Sequence, residues 1–274
     1  MTDTIISFGN LHMNPPRGVT VFGFEIYFYG IIIAVGFILA GLYMLRRREA
    51  YNLTQDNVID IFLCAMIGGL VGARLYYVLF NFSDYFGPGK WMNIFHVRDG
   101  GLAVYGGIIL GCTLAVLYGR RKKLNLALLL DAAGGAIPLG QAIGRWGNFT
   151  NREAFGDATT LPWKMGLTYE NGTTIYVHPT FLYESLWNLA GFLLLHIISK
   201  RWKRFNGQIF LLYMLWYGLG RVWIEGLRTD SLYLGGSGIR VSQALAAVSI
   251  VVAVALLVIL GRKNIKKPEE IPAE

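Results

Sequence analysis

Residues Val241–Leu260 read VSQALAAVSIVVAVALLVIL. Beyond Gln243 nothing in this stretch carries a charge or an amide, and about twenty residues of helix at 1.5 Å each span the roughly 30 Å hydrocarbon core of a bilayer. Working outward from it, six further apolar runs stand at Ile26–Leu45, Val58–Phe80, Leu102–Tyr118, Leu126–Ile143, Phe181–Ser199 and Ile209–Ile224. The runs predict an all-α polytopic membrane protein with seven transmembrane helices, forming a single domain over residues 1–274. Composition agrees: 54% of the chain is hydrophobic and 15% charged, against about 25% charged in soluble domains. The mean hydropathy of +0.45 excludes a disordered chain and argues against an ordinary cytosolic globule. Met1–Glu25 has no basic segment leading into an apolar stretch and a small-residue cleavage site, so the first run is expected to be retained. The longest connection, residues 144–180, is expected to form a small strand-containing extracytoplasmic cap.

Lysine and arginine orient the bundle, because cytoplasmic loops accumulate them. Connections containing Arg46–Arg48, Arg120–Lys123, Lys200–Arg204 and Arg262–Lys267 hold fifteen basic residues, and the alternate set, which includes Arg17, Lys90, Arg98, Arg145, Arg152, Lys164, Arg228 and Arg240, holds eight. The alternation predicts the N-terminus outside and the C-terminus in the cytoplasm. The net charge of +8 is thereby explained by topology against anionic lipid, and no nucleic-acid partner is expected.

Charges within a membrane span are costly and tend to mark function. Arg74 and Arg221 both fall toward the outer ends of their runs, at the depth where Gln141 and Arg145 close the fourth and Tyr29, Tyr105, Tyr183 and Glu184 open others. Snorkelling and an aromatic belt account for single members of this group, but not for Glu184 and Glu225 beside the arginines. Asp60 and Asp131, toward inner ends, fit interhelical hydrogen bonding or capping, and His196 fits a satisfied core residue. Glycine pairs at Gly68-Gly69, Gly106-Gly107 and Gly134-Gly135, with Gly140 and Gly144, predict close helix approach. Cys64 and Cys112 form neither a disulfide framework nor a CxxC site. No P-loop, GxGxxG, HExxH or GxSxG motif occurs, the histidines lack metal-ligand spacing, and neither metal nor cofactor is expected. Arginines with carboxylates and no metal set suit a lipid phosphate, since guanidinium offers paired donors to phosphate oxygens. A lipid transporter would use the same arginines, but the chain shows no internal repeat.

The segment Gly144–Gly156, GRWGNFTNREAFG, resembles the G-R-x-G-N-F-x-N-x-E-x-x-G signature of bacterial prolipoprotein diacylglyceryl transferases. Further landmarks of that family run in order along nearly the whole chain: Tyr29-Gly30, GARLYY around Arg74, GGLAVYGG from Gly100, HPTFLYE from His178, and YGLGRVWIEGLR from Tyr217. The resemblance implies a multi-pass enzyme of the bacterial cytoplasmic membrane with its active site near the outer leaflet. Its activity would be to move the diacylglyceryl group of phosphatidylglycerol onto the lipobox cysteine of a prolipoprotein signal peptide, releasing glycerol phosphate. Membrane lipid would surround it.

Carried over residue by residue, Arg145 and Arg221 are expected to bind the phosphate and stabilise charge on the leaving group, Glu225 to orient Arg221, and Asn148 to bond the head group. Tyr29, Arg74, His178 and Glu184 are further candidates for binding phosphatidylglycerol. Many members carry a histidine where this chain has Tyr105, and Thr150 stands where an apolar residue is usual. A phenol titrates near 10, so Tyr105 is expected to act as a hydrogen-bonding group. His178, Glu184 and water remain alternatives for the base.

Overall fold

The computed structural model describes residues 4–87, 89–96, 100–235 and 238–265; Arg98, Lys266 and Lys267, counted above among the basic connections, lie outside the described residues. Four short strands open the chain, β1 (Ile5–Phe8), β2 (Leu11–Met13), β3 (Gly18–Val21) and β4 (Phe24–Tyr27). The helices α1 (Phe28–Arg47), α2 (Gln55–Phe80), the short α3 (Phe82–Tyr85), α4 (Val104–Arg121) and α5 (Leu126–Asn151) follow. Strands β5 (Met165–Thr168) and β6 (Thr174–Val177) then precede α6 (Thr180–Arg201), α7 (Gln208–Leu227) and α8 (Val241–Ile265). The helices centred on α1, α2, α5, α6 and α8 are long and apolar enough to cross a membrane, as befits a largely helical, polytopic membrane protein. α4 and α7 fall short of that measure for visible reasons. α4 has only 18 residues and ends on Arg120-Arg121, and α7 carries Arg221 and Glu225.

Two boundaries differ from expectation in ways that matter. The fourth helix does not stop at Ile143 but runs on to Asn151, so most of the signature is helical and projects its side chains at helical spacing. Residues 144–151 therefore do not belong to a loop. The N-terminal segment, for which no strand was expected, supplies β1 and β2 to an antiparallel four-stranded sheet of order β2-β1-β5-β6. Four-residue strands are too short to announce themselves by alternation. Ile6, Met165, Leu167, Val177 and Phe181 bury together there, with Phe149 and Phe155 against them.

The chain divides into two compact units, Met44–Leu129 and the remainder. Within the first, α2 and α4 pack along the expected glycine seam. A Cβ on Gly72 or on Gly106 would come within 2.3 Å of the other's carbonyl oxygen, and one on Gly107 within 2.8 Å of the Gly69 oxygen. Only backbone fits between these helices. The Tyr118 hydroxyl donates to Asp60 at 2.6 Å across the same pair, which is the interhelical role expected of Asp60. Arg74, 7% exposed, reaches out of α2 into the following connection. Its Nε donates to the Ile94 carbonyl, Nη1 to Gly100 and Gly101, and Nη2 to Asn93 and His96, at 2.6–3.3 Å. A guanidinium has five N–H donors, and all five end on backbone.

Within the larger unit, Asp131 of α5 is fully buried and accepts from the backbone N–H groups of Gly207, Ile209 and Phe210 at 2.8–3.1 Å, with Lys203 Nζ at 2.9 Å. A carboxylate from one helix thus caps the N-terminus of another, satisfying donors that α7 cannot satisfy itself. This matches the expectation for Asp131. His196 is likewise satisfied, at 2.9 Å from the Tyr43 hydroxyl. Gly36 of α1 faces Gly140 of α5, where a Cβ would meet the Gly140 oxygen at 3.0 Å.

Replacing Asp131 by alanine removes the acceptor of three backbone donors at the start of α7, at a cost of about 3 kcal/mol. The melting temperature in detergent should then fall by roughly 6–12 °C, as differential scanning fluorimetry would detect. Arg74→Lys replaces a five-donor fork by a three-donor point. Amide exchange at Gly100–Ala103 should accelerate about tenfold or more, and unchanged exchange would deny Arg74 its role in holding this connection.

Candidate functional site

Glu184 sits in the first turns of α6 with 4% of its surface exposed. An ionised carboxylate at that depth requires partners, because desolvation alone would cost several kcal/mol. The structure supplies three. Arg145 Nη2 from α5 lies 2.5 Å from Glu184 Oε2, Arg221 Nη1 from α7 lies 3.1 Å from Oε1, and Arg228 Nη1 lies 3.6 Å from Oε1. Arg221 also pairs at 2.5 Å with Glu225 one turn on, itself 2% exposed. Three guanidinium groups thus meet two buried carboxylates, and Arg228 is shared with the half-exposed Asp230 carboxylate, whose Oδ2 lies 2.7 Å from its Nη2.

Each member is held by packing that its own helix encodes. Trp187 of α6 and Trp216 of α7 stack at 4.4 Å, and each indole N–H donates to the other's backbone carbonyl, at 3.0 and 2.9 Å. The rings fit because they lie on glycine: a Cβ on Gly191 would strike the Trp216 ring at 2.4 Å, and one on Gly220 the Trp187 ring at 2.3 Å. This reciprocal clamp fixes the register of α6 on α7 one turn from the Glu184–Arg221 pair. α5 is tied to α6 by Trp146 Nε1, which donates to Ser185 Oγ at 3.2 Å, and by Ser185 Oγ, which donates to the Ala142 carbonyl at 2.8 Å. Arg145 and Glu184 are the chain neighbours of those two residues.

The signature contributes more than its arginine. Arg145 Nη1 donates to Asn148 Oδ1 at 3.3 Å, and Asn148 Nδ2 to Glu153 Oε1 at 2.9 Å. Gly147 makes room for the Tyr29 ring, which a Cβ would meet at 2.8 Å. Arg152 donates to the carbonyls of Thr4, Thr150 and Pro15 and to Asn14 Oδ1, fastening the N-terminal segment to the end of α5. At Gly156 the chain is wedged between the His178 and Thr180 side chains and the Leu227 carbonyl. Its N–H donates to the His178 carbonyl, and Asp157 N–H to that of Leu227. That stitching brings Arg228 to the cluster.

Of the residues singled out from sequence, Arg145, Asn148, Glu184, Arg221 and Glu225 form one connected set, and Tyr29 packs on its signature helix. His178 stands beside them on the Gly156 stitch, its Nδ1 3.3 Å from the Tyr183 hydroxyl, which in turn accepts from Trp163 Nε1 at 2.8 Å. Arg74 is placed apart from that set, in the other unit, where its five N–H groups meet backbone carbonyls. Tyr105 opens α4 in that same unit, four residues beyond the Gly101 carbonyl that Arg74 holds. Sequence reasoning passed over Arg228 as a member of the site and counted it only as a topology signal. The spacing that marks it was available, since Arg221, Glu225 and Arg228 recur at i, i+4 and i+7 on one face of a helix. Arg240, whose Nη1 donates to the Glu225 carbonyl, left no such signal. Outside the helices, the Arg228 fork holds the Asp230 carboxyl below its usual range. The stabilisation from this pair is present above that range and is lost only as pH falls through the lowered value, so the pair is intact near neutrality.

Residues 16–259 match the prolipoprotein diacylglyceryl transferase family. The chain is 44% identical to a phosphatidylglycerol–prolipoprotein diacylglyceryl transferase of Finegoldia magna over 251 residues, which cover 92% of this chain and 97% of that protein. The protein of that name from Clostridioides difficile is 41% identical over 245 residues, 89% of this chain and 95% of its own, and that of Enterococcus faecalis is 43% identical over 255 residues, 89% of each. With the arginine–glutamate cluster built on the family signature and the match running almost end to end, the chain belongs to the prolipoprotein diacylglyceryl transferase family.

Proposed function

We propose that this chain transfers the diacylglyceryl group of phosphatidylglycerol to the thiol of a prolipoprotein's lipobox cysteine, the first step of lipoprotein maturation. The observation that carries the reading is the buried Glu184 carboxylate holding Arg145 and Arg221 at 2.5 and 3.1 Å. Those two guanidinium groups are thereby fixed in place before any lipid arrives, and each retains donors beyond the ones facing Glu184. A phosphate docking on them meets preorganised positive charge in a site partly closed to water, where such charge stabilises a developing anion most strongly.

In the reaction the cysteine sulfur forms a bond to the glyceryl carbon bearing the phosphate ester, and the carbon–oxygen bond to phosphate breaks. The electron pair leaves on the phosphate oxygen, giving glycerol phosphate, and the thiol proton passes to a base or to water. A thiol with a pKa of about 8.5 already supplies some thiolate near neutrality, and a guanidinium close to it raises that fraction. Arg145 and Arg221 bind the phosphate and stabilise the leaving group. Glu225 orients Arg221, Asn148 bonds the head group, and Tyr29 and His178 line the phosphatidylglycerol site. Tyr105 contributes its phenol as a hydrogen-bonding group.

On this reading the chain crosses the bacterial cytoplasmic membrane seven times as one domain, α4 and α7 included, with its N-terminus outside. The basic last turns of α1, α4, α6 and α8 support that orientation, since every second long helix ends on arginine or lysine. Residues 152–180 then contribute, with β1 and β2, an extracytoplasmic cap, and the arginine cluster faces the outer leaflet.

Purified protein in detergent, given phosphatidylglycerol and a synthetic lipobox peptide, should yield a diacylglyceryl adduct on the peptide cysteine by mass spectrometry. Arg145→Ala and Arg221→Ala should each reduce the rate a hundredfold or more, by analogy with loss of one charge-stabilising donor, while eluting as the folded protein does. No adduct from folded wild-type protein with both substrates in excess would sink the assignment. Tyr105→Phe should retain transfer at a reduced rate; complete loss would instead make the phenol the base.

A further inference from the structure

The β3–β4 hairpin is a surface that the transfer reaction does not use. Its register pairs Val19 with Ile26 and Val21 with Phe24, and between them Gly18 with Tyr27 and Thr20 with Glu25. Because side chains alternate across a strand pair, one face is wholly apolar (Val19, Val21, Phe24, Ile26) and the other carries Thr20 and Glu25, with the Tyr27 hydroxyl donating to Glu25 at 2.8 Å. All four apolar residues are exposed over 39–57% of their surface. The two-residue turn has Phe22 and Gly23 at positive φ, 49° and 79°, the geometry of a type I′ turn, whose first position ordinarily takes asparagine, aspartate or glycine. Here it holds phenylalanine, thrown off the tip with 97% of its surface exposed.

A lone two-stranded hairpin is marginal in water, and an exposed apolar face of this kind marks a contact. What covers it follows from where the chain goes next. Phe28 begins α1, a helix long and apolar enough to span the bilayer, with no intervening linker, and its N–H donates to the Arg17 carbonyl at 2.8 Å, closing the base of the hairpin onto the start of that helix. The hairpin therefore emerges at the depth where α1 leaves the membrane. We infer that β3–β4 is a membrane-surface anchor, its Val19/Val21/Phe24/Ile26 face lying in the lipid headgroup–acyl boundary and Phe22 inserted among the acyl chains. Thr20 and Glu25 face water. The arrangement is the strand counterpart of an interfacial amphipathic helix, and it holds the outer end of α1, hence Tyr29, at a fixed depth.

Nitroxide labels placed one at a time at positions 10, 20, 21 and 22, in full-length protein with Cys64→Ala and Cys112→Ala, test this in nanodiscs of phosphatidylglycerol and phosphatidylcholine. Asn10, in the exposed β1–β2 turn, is the aqueous reference. The ratio of collision rates with oxygen to those with a water-soluble nickel chelate should rise several-fold at positions 21 and 22 over position 10, and remain at the reference value at position 20. Equal, water-like ratios at all four positions would overturn the inference. So would labels at 21 and 22 that are water-exposed until a lipobox peptide is added and are shielded only then, which would make the hairpin a peptide-docking surface. The readout is depth, not transfer, so it stands or falls separately from the reaction proposed above.

Discussion

Burying a carboxylate within a membrane protein is tolerable only if cations meet it at bonding distance, and Glu184 imposes that condition on three different parts of the chain. α5 must present Arg145, α7 must present Arg221, and the segment after α7 must return Arg228, all to one side chain on α6. The neighbouring structure follows from holding those contacts. Gly191 and Gly220 exist as notches for the paired indoles that set the α6–α7 register, and Gly156 lets the end of the signature pass close against Leu227 so that Arg228 arrives. Removing any one of these glycines would act on the site through a displaced arginine.

Much of this was legible in the sequence, and what was not has a definite physical reason. The long helices could be located because apolar runs of bilayer length have few other uses, and five of them are long and apolar enough to cross a membrane; the Arg221–Glu225–Arg228 face could be read from helical spacing. The Arg145–Glu184 pair could not be derived from spacing. Its members are 39 residues apart, and the contact depends on which helices neighbour each other. Likewise Trp187 and Trp216 look like ordinary belt aromatics until the antiparallel register sets each on the other's glycine. The helix carrying the signature was cut short at Ile143 because Arg145, Asn148 and Asn151 break the apolar run. Helical hydrogen bonding continues regardless, since a polar side chain ends a hydropathy stretch without ending a helix.

The hardest distinction from sequence was between the arginines of two apolar runs, Arg74 and Arg221. Position along a span gives depth, and at the same depth burying either is equally costly. Donor accounting separates them. Arg74 has five N–H groups and five backbone carbonyls, so its charge is consumed in shaping the connection that ends at Gly100-Gly101. Arg221 is held instead by two carboxylates, one oxygen of each, and Arg145 by one carboxylate and one amide. The same logic sets Asp131 apart from Glu184: the former is closed off by three backbone N–H groups and a lysine, the latter is met by guanidinium groups. A buried ion with every valence used serves the fold. A guanidinium has five N–H donors, so an arginine held by a carboxylate at one edge keeps the capacity that the proposed phosphate site requires.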